Sequence, residues 1–118
     1  MNLSLFAVTF DCGDALAVAQ FWSSTLGRPV DPQGSTDFAS IGIDDADKPC
    51  FTFVKVPEGK AAKNRVHLDL ATTDLDAEVG RLVGMGASQI ADLTEGGVHW
   101  NTLADIEGNE FDVIAEWR

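Results

Sequence analysis

Residues 64–70 read NRVHLDL, and their apolar and polar side chains alternate as they do in a half-buried β-strand. In such a strand, His67 and Asp69 project from one face while the apolar side chains project from the other. A similar alternation occurs 60 residues earlier in FAVTF, residues 6–10. Because a helical pattern follows each strand pattern, the chain is predicted to contain the same strand–helix unit twice.

The correspondence at this spacing of 60 residues extends beyond the two strands. Asp14 corresponds to Asp74, and each of these aspartates precedes a helical pattern. Towards the end of each half, Phe51 corresponds to Phe111. Few identities survive, so the chain repeats a pattern more than a sequence. The repeat indicates two structural modules in tandem.

The ends of the two helices are marked in the sequence. Asp14 is predicted to cap the first helix and Gly27 to end it. In the second helix, Thr73 and Asp76 resemble a capping box, and Gly86 follows the last apolar position. Each helix therefore has a predicted start and a predicted stop.

The apolar side of each first strand, which includes Phe6 and Val66, is predicted to pack under the helix of its module. Further strands are predicted at about 38–43, 50–56, 88–93, 98–104 and 110–116. A helix between strands, followed by hairpins, predicts an α+β fold of two βαβββ modules. The predicted divisions are module one at about 1–57, a linker at about 58–63 and module two at about 64–118.

Composition excludes some classes of function. The 118-residue chain has a net charge of −11, whereas nucleic-acid binding requires a basic surface. No apolar run approaches the roughly 20 residues that span a bilayer, and the N-terminus has no signal-peptide pattern. Cys12 and Cys50 are too few for a disulfide framework, so we expect reduced thiols and a cytoplasmic protein.

Three segments carry a resemblance to a known family: VTFDCGDALAVAQFWSSTLGRP (8–29), KNRVHLDL (63–70) and WNTLADIEGNEFDV (100–113). Together with the repeat, they resemble the glyoxalase/bleomycin-resistance/dioxygenase superfamily, also called the vicinal oxygen chelate fold, and its small glyoxalase-like domain proteins. The family typically has an Asp-Pro-x-Gly-Asn turn before its last strand. Here Ile106 replaces the proline, but Asp105 keeps its turn position, so we expect the hairpin to form.

The resemblance implies one domain, residues 1–118, whose sheets curl around a cavity with the helices outside. Metal-dependent members place four ligands in this cavity, two from each module, and metal-free members bind drugs or other small molecules there. The positions in this sequence that correspond to the four ligands are Ala7, Thr52, His67 and Asp112.

These four positions do not form a full set of metal ligands. Alanine has no donor atom, and a neutral threonine hydroxyl is a weak ligand, whereas a catalytic divalent metal needs about three protein ligands. We therefore expect no metal cofactor, with His67 and Asp112 as the candidate ligands if one binds. Asp69 or Glu110 could complete the set if the geometry differs from that of the family.

Strand alternation places six polar side chains on the predicted cavity face, and we expect them to bind a ligand: His67, Asp69, Asp112, Thr9, Thr52 and Glu110. His67 beside a carboxylate is the candidate catalytic residue, because such a pair can act as a general acid or base. The same pair can instead orient a ligand by hydrogen bonding. We favour orientation, since no nucleophile motif accompanies the histidine.

The first functional hypothesis is a metal-free small-molecule-binding protein, with a cationic ligand or drug favoured by the acidic charge. The alternative is a metal-dependent lyase, isomerase or dioxygenase of the same superfamily. Glyoxalase I activity is not expected, because its substrate is anionic and the sequence shows no cationic clamp. A third hypothesis is an interaction module without a working cavity. Family resemblance also suggests a homodimer, and no membrane partner is expected.

Overall fold

The computed structural model describes residues 2–116. The chain divides into two compact units, residues 1–59 and 60–118. In the described residues the elements follow in the order β1 (Ala7–Cys12), α1 (Ala15–Leu26), β2 (Phe38–Ile41), β3 (Cys50–Lys55), β4 (Asp69–Thr72), α2 (Leu75–Gly84), β5 (Ser88–Glu95), β6 (Val98–Ala104) and β7 (Glu110–Ala115). The predicted α+β class and two-module layout are confirmed.

The first unit contains α1 and a sheet of strand order β1-β3-β2, in which β1 is parallel and β2 antiparallel to β3. Asp14 caps α1 as predicted, since its side chain accepts a hydrogen bond of 3.1 Å from the Ala17 N–H. Gly27 ends the helix in the left-handed conformation, with φ of 67°, which glycine adopts without steric cost. Both predicted ends of this helix are confirmed.

Aromatic rings form the core of the first unit. The Phe10 ring lies 5.1 Å from Trp22 of α1 and 5.2 Å from Phe53 of β3, measured between ring centroids. The prediction that Phe6 packs under the helix was wrong, because this residue precedes β1 and is 55% exposed. Its ring instead lies 4.9 Å from the Lys48 ammonium.

The first unit has three strands where the second has four. The segment between α1 and β2 corresponds in the repeat to the position of β5, but it forms turns and irregular structure. Pro29 and Pro32 lie in this segment, and proline has no N–H for a strand ladder. Backbone hydrogen bonds to β2 remain at two places, from the Asp31 N–H to the Ser40 carbonyl and from the Ser35 N–H to the Phe38 carbonyl, both at 2.8 Å. The first unit therefore has the order βαββ, and the second has the predicted βαβββ order.

Asp31 holds the end of this irregular segment against β2. Its carboxylate accepts hydrogen bonds from the Ser40 hydroxyl at 2.7 Å, the Ile43 N–H at 2.9 Å and the Gly42 N–H at 3.1 Å. Burial by itself would raise the pKa of Asp31. The hydrogen bonds and the nearby Arg28 charge outweigh burial and lower that pKa overall.

The second unit contains α2 and a sheet of strand order β4-β7-β6-β5, in which only the β4–β7 pair is parallel. The capping box predicted from Thr73 and Asp76 was wrong. Asp74 is the N-cap, because its backbone is not helical and its carboxylate accepts a hydrogen bond from the Ala77 N–H, 3.2 Å away. Gly86 follows the end of α2 with φ of 112°, in agreement with its predicted place at the stop.

The first strand of the second unit is shorter than predicted. It begins at Asp69, and Val66 is 81% exposed, so the prediction that Val66 packs under the helix was wrong. His67 therefore precedes the strand. Backbone pairing nevertheless reaches Leu68, whose carbonyl accepts a hydrogen bond of 2.9 Å from the Asp112 N–H.

The turn between β6 and β7 forms without the family's proline. The buried Asp105 carboxylate accepts hydrogen bonds from the Glu107 N–H at 2.9 Å and from the Asn109 N–H at 3.0 Å. The Asp105 N–H also donates to the Asn109 carbonyl at 2.9 Å. These bonds close the turn around the aspartate side chain, which explains why Ile106 is tolerated. The predicted hairpin is confirmed.

Cys12 and Cys50 are both buried in the first unit. They are not opposite one another in the β1–β3 ladder, since Cys50 pairs with Ala7 and Cys12 with Lys55. Over residues 2–116, the structure has no helix with the length and apolar character needed to cross a membrane.

Candidate ligand-binding site

Three polar residues form a row across the sheet of the second unit. Asp69 of β4 is the register partner of Asp112 of β7, which in turn is the partner of Thr102 of β6. Register partners on adjacent strands place their side chains on the same face of a sheet. The row therefore joins residues that are 10 and 43 positions apart in the sequence (112 − 102 and 112 − 69).

His67 adds an imidazole ring to this row. Its Nδ1 atom lies 3.0 Å from Asp69 Oδ1 and 3.6 Å from Asp112 Oδ2. Two carboxylates on this side of the ring favour a proton on Nδ1, which leaves Nε2 as the acceptor of the neutral imidazole. The Thr102 hydroxyl donates to Asp112 Oδ1 at 2.7 Å and so orients the second carboxylate.

The cluster of His67, Asp69 and Asp112 is open to a ligand. The His67 and Asp69 side chains are 42% and 50% exposed, whereas the Asp112 side chain is 16% exposed. Asp112 is thus the more desolvated of the two carboxylates, and its interactions with a ligand are less screened by water. The predicted neighbourhood of His67, Asp69 and Asp112 is present in the structure.

Glu110, another predicted ligand contact, has different partners. Its carboxylate lies 3.0 Å from the Lys60 ammonium and accepts a hydrogen bond of 2.9 Å from the Asn64 N–H. The Asn64 hydrogen bond lowers the pKa of Glu110, burial opposes this effect, and Lys60 lowers the pKa further. Glu110 therefore holds the chain before β4 against β7, and it does not join the His67 cluster.

Thr9 and Thr52 belong to the first unit, where they are register partners on β1 and β3. Their hydroxyl oxygens are 2.5 Å apart and share a hydrogen bond. Thr52 is buried and lies opposite Ser40 of β2. A ligand-binding role for these two threonines stays a prediction.

Thr102 was not among the site residues predicted from the sequence. Strand alternation alone does not distinguish it from other polar strand residues, because its role depends on which residue faces it. A signal was nevertheless present in the turn at 105–109, since closing that turn pairs Ala104 with Glu110. Counting back two residues on β6 and forward two on β7 then places Thr102 opposite Asp112.

The cluster also fits a divalent metal ion. One ligand atom from each of His67, Asp69 and Asp112 lies within 4.8 Å of the other two, and the described residues contain only this group. An imidazole and two carboxylates suit several divalent first-row ions, and three protein ligands leave positions open for a substrate. Asp69 would supply the third ligand, so the set would come from one unit and would differ from the family pattern.

Comparison with known proteins agrees with this architecture. A family model described as a glyoxalase-like domain matches residues 7–114. The chain belongs to the glyoxalase-like domain family. No protein with a curated function matches the sequence of this glyoxalase-like domain.

Solved structures show how widely the fold of this glyoxalase-like domain is shared. It is 21% identical to a glyoxalase/bleomycin resistance protein/dioxygenase family enzyme from Burkholderia phytofirmans PsJN, with a TM-score of 0.77 over 96% of this chain and 98% of that chain. It is 11% identical to a genomically encoded fosfomycin resistance protein, FosX, from Listeria monocytogenes, with a TM-score of 0.76 over 99% and 96% of the two chains. At such low identities the likeness shows the fold alone.

Proposed function

We propose that this glyoxalase-like domain binds a small organic cation at the cluster of His67, Asp69 and Asp112. The observation that carries the proposal is a pair of carboxylates that, in the part of the chain that the structure describes, contact His67 but no lysine or arginine. Within residues 2–116, neither Asp69 nor Asp112 forms an ion pair with a lysine or arginine. Other acidic side chains do so, as Glu110 does with Lys60. The net charge of −11 further favours a cationic ligand.

Each residue has a distinct role in this proposal. Asp112 makes the strongest charge interaction because it is the less exposed carboxylate. Asp69 supplies the second negative charge at the open edge of the row. His67 presents Nε2 to the ligand while Nδ1 interacts with the carboxylates. No bond is made or broken, so the proposed activity is binding.

A second candidate function rests on the metal-binding geometry of the same three residues. His67, Asp69 and Asp112 would hold a divalent ion, which supplies Lewis-acid polarisation of a bound oxygen. This function would make the protein an enzyme of the lyase, isomerase or dioxygenase type. The interaction-module hypothesis, the homodimer and the cytoplasmic location remain predictions.

Metal content and cation binding distinguish the two candidates. Purified protein is incubated with nickel, zinc or ferrous iron, desalted and analysed for metal, and metal-stripped protein is titrated with ethylamine by NMR. We expect no stoichiometric metal, together with ethylamine binding that weakens at least tenfold in Asp112→Asn. Asp92→Asn is the matched control, because it removes a carboxylate that also hydrogen-bonds a histidine, His99, on the same sheet.

Stoichiometric metal that disappears in His67→Ala, without ethylamine binding to the metal-stripped protein, would overturn the first candidate in favour of the second. Equal ethylamine affinities in wild type and Asp112→Asn would place the cation elsewhere on the surface. Either result rejects the proposed site for an organic cation.

A further inference from the structure

An apolar row lies beside the row of Asp69, Asp112 and Thr102. Trp100 of β6 pairs with Ile114 of β7, and these residues are two positions from Thr102 and Asp112 on the same strands. Residues two apart on a strand project from the same face, about 7 Å from one another. The apolar row continues to Leu93 of β5, the register partner of Trp100.

The two faces of this sheet differ in their exposure. Leu103 and Val113, which alternate with the residues of the two rows, are 0% and 2% exposed. Because α2 contacts β5, β6 and β7, the burial of these two side chains indicates that the helix covers their face. On the other face, Leu93 is 42% exposed, and Trp100 and Ile114 are half-buried. An aromatic and aliphatic surface therefore lies next to two carboxylates that contact His67 and, within residues 2–116, no lysine or arginine.

We infer that the ligand is an amphipathic organic cation, with an ammonium group and an apolar ring. This inference rests on the proposed function and adds the chemical class of the ligand. The ammonium group contacts Asp69 and Asp112, while the ring packs on Trp100 and Ile114. The spacing of adjacent rows corresponds to a linker of about two or three carbons between nitrogen and ring.

The charge and the apolar surface together select this class. A metal ion or a small alkylamine uses the carboxylates and leaves the apolar row without a contact. An uncharged aromatic compound uses Trp100 and leaves Asp69 and Asp112 without a cation. A ring joined to an ammonium group satisfies both rows, because aromatic packing and charge pairing act on separate parts of the molecule.

The test compares two amines of equal charge on metal-stripped protein, with NMR titration as the readout. We expect 2-phenylethylamine to bind about tenfold more tightly than ethylamine, which is the effect of one aromatic contact. Trp100→Ala is expected to remove this difference, and Trp100→Phe to restore most of it. Asp112→Asn is expected to weaken both amines by the same factor.

The outcomes separate this inference from the proposed function. If neither amine binds, the proposed function fails and the inference fails with it. If both amines bind equally and Trp100→Ala changes neither affinity, the inference alone is overturned. Should Trp100→Ala fail to fold, Leu93→Ala at the exposed end of the row replaces it. This variant is expected to weaken 2-phenylethylamine about threefold and leave ethylamine unchanged.

Discussion

The two units have similar strand pairing but present different chemistry on it. In the first unit, Thr9 pairs with Thr52, which pairs with Ser40. In the second unit, the corresponding row is Asp69, Asp112 and Thr102. Both rows cross a parallel pair of strands and then an antiparallel pair. The first row is made of neutral hydroxyls, whereas the second has two carboxylates.

The hydrogen bonds of the two rows explain what this difference means. Thr9 and Thr52 share a hydrogen bond, and Ser40 donates to Asp31. The hydroxyls of the first row therefore have hydrogen-bond partners within the first unit. The second row keeps two negative charges, which His67 and Thr102 contact. The comparison shows that one backbone frame can carry a row of hydrogen-bonded hydroxyls or a row of carboxylates, depending on a few side chains.

Placing a carboxylate in the first row is expected to have the largest effect on stability. In Thr52→Asp, the new charge lies at a position that is 8% exposed, without a basic partner. Burying such a charge costs several kcal/mol, so we expect the free energy of unfolding to fall by about 2–4 kcal/mol. Urea unfolding measured at neutral pH tests this expectation.

The matched control for that variant is Thr52→Val, which removes the hydrogen bond to Thr9 without adding charge. We expect this variant to lose only about 1 kcal/mol. If Thr52→Asp is as stable as Thr52→Val, the first row tolerates charge. The contrast between the two rows would then have no energetic basis.

Removing the charge of Asp31 is expected to have a smaller effect that depends on pH. In Asp31→Asn, three hydrogen-bond donors lose an ionised acceptor, so stability at neutral pH falls by about 1–2 kcal/mol. The pKa of Asp31 is lowered from 3.8, so its contribution is complete above that value. The contribution is lost as the pH falls through the lower pKa of the folded protein. The urea midpoints of wild type and variant, measured from about pH 7 down to about pH 2, should therefore converge as the pH falls.

Asp69→Asn provides the comparison for this experiment, because the Asp69 side chain is half-exposed and its partner, His67, is also well exposed to water. Its stability at neutral pH is expected to stay within about 0.5 kcal/mol of wild type. A difference between Asp31→Asn and wild type that stays constant down to pH 2 would contradict the assigned role of the Asp31 carboxylate.

The smallest effect is expected at Thr102, which orients Asp112 without contacting the ligand. Thr102→Val removes the 2.7 Å hydrogen bond and is expected to weaken 2-phenylethylamine about fivefold. Thr102→Ser keeps the hydroxyl and should restore the affinity. Equal weakening in both variants would mean that the methyl group, and not the hydrogen bond, is important at this position.

Local sequence patterns predicted much of the fold. Asp14 and Gly27 bound the first helix because capping and left-handed glycine depend on only a few neighbouring residues. The second helix shows the limit of this approach: Thr73 and Asp74 are adjacent candidates for the cap, and backbone geometry selects Asp74. The first unit lacks a counterpart of β5, and Pro29 and Pro32 explain this locally because proline has no N–H for a strand ladder. The repeat with the second unit had nevertheless favoured a strand at this position.

The sequence by itself determined the two-module repeat, the boundaries of the first helix and the shared face of His67 and Asp69, since each depends on short-range periodicity. Only the tertiary structure decided that Thr102 orients Asp112, that Glu110 pairs with Lys60, and that Trp100 and Ile114 lie beside the carboxylates. These relations depend on strand register and on competition for hydrogen-bond partners. Both link residues that are distant in the chain, so local patterns do not contain them.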